Sequence, residues 1–120
     1  MFSDTLVVTV NTVDKTLVRI NQDAYASEYL LREDTGEFSL RLRNTSYTRA
    51  GTGVKVDRHN VELVHTVYGA AVGDPPVIRK AYIVFENDRG DPLADAEDFT
   101  FGLVSFLTEV NIGKLLNWES

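Results

Sequence analysis

Residues 37–45 read EFSLRLRNT. Phe38, Leu40 and Leu42 alternate with Ser39, Arg41, Arg43 and Thr45, the period-two pattern of a strand buried on one side. One face packs on a core, and the other holds two guanidinium groups outward. The polar face of an antiparallel sheet is ordinarily just wet. Whether this one binds something depends on its neighbours.

Those neighbours also read as strands. Thr5–Val10 and Leu17–Ile20 are rich in β-branched residues and flank Asn11–Asp14, which predicts a hairpin over residues 1–21. Ser27–Leu31 is a short strand closed by the polar turn Glu33–Gly36. Thr48–Gly53 (TRAGTG) is a turn into a long strand, Val56–Tyr68. There His59, Val61, Leu63, His65 and Val67 share one face, and Arg58, Asn60, Glu62, Val64 and Thr66 the other. Gly69–Pro76 is a loop of small residues ended by two prolines, which cannot donate to a ladder. The last strand, Val77–Asn87, separates Ala81, Ile83 and Phe85 from Lys80, Tyr82, Val84 and Glu86. Short connections between successive strands predict an antiparallel sheet over residues 27–88.

The period then changes, and residues 91–118 read as helix. Asp91 is the expected cap, with Pro92 at the first helical position and Asp95, Glu97 and Asp98 where the helix dipole favours anions. From Phe99 to Trp118 the apolar residues are too many for one stripe. A helix packed on a single sheet buries a face roughly 100° wide, so a second subunit is implied. Asn111 or Gly113 is the expected break between two helices, and Gly102 a place for close backbone approach. The alternative is burial of this helix in its own chain's core. The fold class is therefore α+β, in one domain spanning residues 1–120.

The composition, 43% hydrophobic and 25% charged, is that of a folded globular chain. No apolar run approaches the roughly 18 residues of a membrane span, and no basic-then-apolar leader opens the chain, so no membrane partner is expected. Cysteine is absent, which removes disulfide and thiolate chemistry. A net charge of −6 argues against a polyanion as partner until its distribution is read. Residues 38–80 hold seven basic against three acidic side chains, a local +4, and the remainder carries −10. A partner feels the local potential, so one positive face is compatible with the total.

No catalytic constellation is visible. His59 and His65 lie six residues apart on one strand, roughly 20 Å along it, too far to share a metal or act on one bond. They read as core histidines with hydrogen-bonded nitrogens. Gly51-Thr-Gly53 is half of a dinucleotide fingerprint but precedes a strand, so it is a turn. Neither Glu33-Asp34 nor Glu97-Asp98 has EF-hand spacing. Both are ordinary solvated positions, and calcium where copies of the chain meet is the alternative. No other cofactor is expected. What remains is the sheet's polar face. Arg41, Arg43, Arg58 and Lys80 are cations suited to phosphates, Asn60 can bond a base edge, and Tyr82 offers a ring for an unstacked base, the equipment of single-stranded RNA binding. Glu62 and Glu86 repel phosphates and are expected to accept hydrogen bonds or to pair with the arginines.

Four stretches carry a resemblance: KTLVRINQDAYASEYLL (15–31), DRHNVELVHTVYGA (57–70), VIRKAYIVFEND (77–88) and LVSFLTEVNIGKLLNWES (103–120). Within them RINQDAYASEY (19–29) and GKLLNWES (113–120) are the most specific. With these the chain resembles the coat proteins of small single-stranded RNA bacteriophages, the levivirus-type family. The resemblance implies an N-terminal β-hairpin, a five-stranded antiparallel sheet and two C-terminal helices. It implies an intertwined homodimer with one continuous sheet, assembled into an icosahedral virion in the bacterial host's cytoplasm. It further implies binding of genomic RNA, and of an operator hairpin that represses replicase translation. The implied RNA-facing residues are Arg41, Arg43, Thr45, Arg58, Asn60, Glu62, Tyr82, Val84 and Glu86, with Lys80 added by alternation. Val84 stands where other members have a polar base-reading residue. Two readings from other classes stay open: a dimeric α+β module holding a small molecule between sheet and helices, and a small enzyme using His59 or His65.

Overall fold

A computed structural model describes all 120 residues. Six strands form a single antiparallel meander in sequence order: β1 (Thr5–Val10), β2 (Val13–Gln22), β3 (Ala26–Glu33), β4 (Gly36–Thr48), β5 (Lys55–Val67) and β6 (Val77–Asp88). Two helices follow, α1 (Leu93–Phe106) and α2 (Glu109–Leu116).

The expected hairpin is present, with a tighter turn. Asn11 and Thr12 both adopt positive φ, 51° and 63°, the geometry of a two-residue hairpin turn whose twist suits the flanking strands. Because the turn takes only two residues, β2 starts at Val13 and is long enough to pair on both sides. It pairs with β1 and, on both sides of a bulge between Arg19 and Asn21, with β3. Hairpin and sheet are thus one six-stranded sheet. Arg19 fastens the N-terminal segment onto it, donating to Asp4 Oδ1 at 3.0 Å, to the Phe2 carbonyl at 2.6 Å and to the Tyr29 hydroxyl at 2.8 Å.

The opening stretch belongs to β4, the middle of the longest ladders. Phe38, Leu40 and Leu42 are buried as expected, with Leu17 and Tyr29. Leu6, Val8 and Val10 of the hairpin pack against them. At the start of β4, Gly36 lies so close to β5 that a Cβ there would stand 2.2 Å from the Thr66 carbonyl oxygen.

The helices depart from expectation in detail. Pro92, not Asp91, is the N-cap of α1, with φ −57° and ψ 131° and no side-chain cap bond. The backbone at Pro92 is still extended, which moves the first turn one residue on. Asp95 lies in that turn. The break falls at Leu107–Thr108 and not at Asn111 or Gly113. There Thr108 caps α2 by accepting from the Asn111 backbone N–H, and the Asn111 amide reaches back to the Phe106 carbonyl at 2.6 Å. Asn111 therefore secures the break from inside α2. No atom comes within 4 Å of a Cβ built at Gly102.

Neither helix buries a single residue. Phe99 is 82% exposed and Trp118 95%. The alternative of a helix buried in its own chain's core is thereby excluded. The radius of gyration is 17.3 Å, against roughly 13.6 Å for a compact chain of this length. The accessible surface is 9221 Å², about 2,700 Å² above that of an average folded monomer of this mass. No single helix is long and apolar enough to cross a membrane. Taken together the two are, but they bend by 63° at the break.

Candidate nucleic-acid interface

Full-length pairing of β4, β5 and β6 sets the polar side chains in cross-strand rows. Partners in register share a face, so four rows of three result: Ser39, Val64 and Lys80; Arg41, Glu62 and Tyr82; Arg43, Asn60 and Val84; Thr45, Arg58 and Glu86. All ten residues singled out from the sequence stand on this one face. It is the face opposite the buried Phe38, Leu40 and Leu42.

The cations on it are largely paired. Arg41 Nε lies 3.5 Å from Glu28 Oε1, Arg43 Nη2 3.7 Å from Glu62 Oε1, and Arg58 Nε 4.0 Å from Glu86 Oε1. These are loose contacts, at or beyond hydrogen-bond range, and exposed pairs of this kind contribute little to stability. Their consequence is electrostatic. Three arginines of the face meet Glu28, Glu62 and Glu86, so its charge is far smaller than the +4 of residues 38–80. Arg79, also in that count, lies on the other face, 3.3 Å from His65 Nδ1. Lys80 is exposed and makes no ion pair.

Tyr82 is 62% exposed, with its ring available to a ligand. Val84 is half-buried. The Asn60 side-chain oxygen is enclosed and has no hydrogen-bond donor. Glu62 is 15% exposed, and Arg43 is its only charged contact. A shallow groove of about 520 Å³ runs past Glu28, Arg41, Glu62 and Lys80.

Three contributors escaped the sequence reading. Glu28, from β3, supplies the partner of Arg41. Tyr47 donates its hydroxyl to Glu86 Oε2 at 2.8 Å, and that bond raises the phenol above its ordinary value, keeping it protonated. Arg49 binds Asp88 at 2.6 Å and closes the end of the face. Tyr47 was findable, because β4 continues the same alternation past Thr45 to Thr48. Glu28 was not, since its pairing depends on the β3–β4 register.

The histidines lie on the apolar face and do not converge. His59 Nδ1–H donates to Asn44 Oδ1 at 2.7 Å, and His65 stacks on Phe38 with centroids 4.0 Å apart. Around the acidic pairs no group of three or more histidine, aspartate or glutamate side chains suited to a metal comes together, and Glu33 holds Lys15 at 2.9 Å. A concavity of about 1370 Å³ opens between α1 and the ends of β5 and β6, beside His59, Phe85, Leu93 and Phe99.

No curated protein matches the chain. A family model does, that of the coat protein of phage phiCb5, an RNA phage of Caulobacter, over residues 3–88. The match runs unbroken from the hairpin to the end of β6 and includes β4; the two helices lie outside it. With most of the chain matched, and with a meander and two C-terminal helices as the resemblance implied, the protein belongs to the phiCb5 coat-protein family: it is a structural protein that assembles into the capsid of a virion.

Proposed function

We propose that this coat protein is an obligate homodimer that packages genomic RNA against the polar face of its sheet. The observation that carries the dimer is the pair of helices with no buried residue. Helices this apolar do not stay in water. The β5–β6 half of the sheet's other face also lacks a cover: Val61 is exposed, and Leu63, Ile83 and Phe85 are only half-buried. The cleft beside α1 is a seat for a helix of a second copy. The outer edge of β6, twelve residues long, has no partner in the chain, and edge-to-edge addition of a second β6 would satisfy it. The surface excess of about 2,700 Å² per chain is of the size obligate dimers bury.

With helices and hairpin on one side, the four polar rows are left for the RNA. Lys80 and the three arginines face phosphates, Tyr82 stacks on a base, and Asn60 bonds a base or ribose. Thr45 offers a hydroxyl, and Glu62 and Glu86 hold the arginines in place. Half-buried Val84 offers no hydrogen bond to a base, so packaging is favoured over repression of translation by an operator hairpin. Particles form in the host cytoplasm, where the RNA is made. A small-molecule module would use the same cleft, but an opening flanked by the exposed Phe99 and Phe101 suits a protein helix better.

Expression of the protein, electron microscopy and sequencing of nuclease-protected RNA test this reading. Particles containing RNA are expected. A purified protein that stays monomeric and forms no particles contradicts it.

A further inference from the structure

Glu62 is an anomaly on a face meant for a polyanion. Its side chain is largely covered, only 15% exposed, yet it accepts no hydrogen bond, and Arg43 stops 3.7 Å away. Next to it on β5, the enclosed Asn60 oxygen also lacks a donor. The Asn60 oxygen is thus a buried acceptor without a donor, and the Glu62 carboxylate beside it, whose oxygens still reach solvent, is likewise free to accept, so the patch is complementary to a ligand that brings N–H groups.

Tyr82 defines where such a ligand sits. It is directly opposite Glu62 in the β5–β6 register and 62% exposed, which puts their Cβ atoms about 5 Å apart. A base lying on the Tyr82 ring therefore turns one edge toward the Glu62 carboxylate. Among the four bases only guanine presents two adjacent donors on its Watson–Crick edge, N1–H and the N2 amino group, which a carboxylate accepts side by side. Adenine, cytosine and uracil each set an acceptor beside their donor, and that acceptor is repelled. Guanine O6, next along the same edge, needs a donor, and the Arg43 guanidinium stands beside Glu62 to supply one. We propose that Tyr82, Glu62 and Arg43 form a reading site for an unpaired guanine. This rests on the RNA-facing assignment of the sheet and adds base selectivity to it.

Binding of the purified protein to uridine nonamers carrying a central guanosine, inosine or adenosine tests the site. Inosine lacks only the N2 amino group. The wild-type protein is expected to bind the guanosine nonamer about tenfold more tightly than the other two, the usual value of one bidentate contact. Glu62→Gln should level the three affinities, because the amide keeps the shape but offers one acceptor instead of two. Equal wild-type affinities overturn the guanine site and leave RNA binding standing, as does a preference that survives in Glu62→Gln. Absence of binding to any nonamer overturns the RNA face itself. The wild-type comparison decides even where the variant fails to fold.

Discussion

Asp57 and Arg89 show how single residues tie the sheet to the start of α1. Arg89 donates through Nε and Nη2 to Asp57 Oδ1, at 3.2 and 2.8 Å. The guanidinium holds the Asp57 carboxyl below its ordinary value of 3.8. A depressed carboxylate stabilises the folded state above its unfolded value, and that contribution disappears as pH falls through the folded one. Asp57→Asn should therefore lower the melting temperature at neutral pH, with the difference from wild type vanishing well below pH 3.8. Thermal melts across pH check this. On the opposite, polar face, Arg41→Ala with Arg43→Ala should reduce the RNA packaged per particle, read from the absorbance ratio of purified particles. Normal packaging by that double variant would return β4 to an ordinary wet surface. Which residues share this face was legible from alternation alone. What each one touches was not. The pairing of Arg41 with Glu28, and of Tyr47 with Glu86, depends on the registers between strands, which parity within one strand cannot fix.

At the scale of elements, strand positions were legible because β-branched runs and turn residues agree along the chain. The turns themselves carry sharper constraints. Gly36 is required by the backbone of β5, so Gly36→Ala should destabilise the protein by about 1–3 kcal/mol, as forced overpacking does. Denaturant unfolding reads that loss. The helical segment was harder to divide. Asn111 and Gly113 are poor helix formers, which made them the apparent break. The true break uses Thr108 as a cap, with Asn111 serving it from within α2. Thr108→Ala removes that cap and should cost about 1 kcal/mol, measurable as an earlier melt of the assembled protein.

At the scale of the whole molecule, the proposed dimer rests on how little one chain buries. Only seven of 120 residues are buried, too few to hold a lone chain of this length folded. The apolar excess of residues 99–118 pointed to a second subunit, and in the structure neither helix buries a residue against its own chain. Stability should therefore depend on association. The melting temperature is expected to rise with protein concentration, as linkage requires when folding and dimerisation are coupled; a melt independent of concentration would contradict it. On the proposed function the two faces divide the work, helices and hairpin toward other protein and the four polar rows toward nucleic acid. Ultraviolet cross-linking of RNA-filled particles, followed by mass spectrometry of the peptides that carry nucleotides, tests that division most directly. Cross-links in β4, β5 and β6, above all at Tyr82, are predicted. Cross-links confined to the β1–β2 hairpin or to α1 and α2 would place the RNA on the wrong face and contradict it.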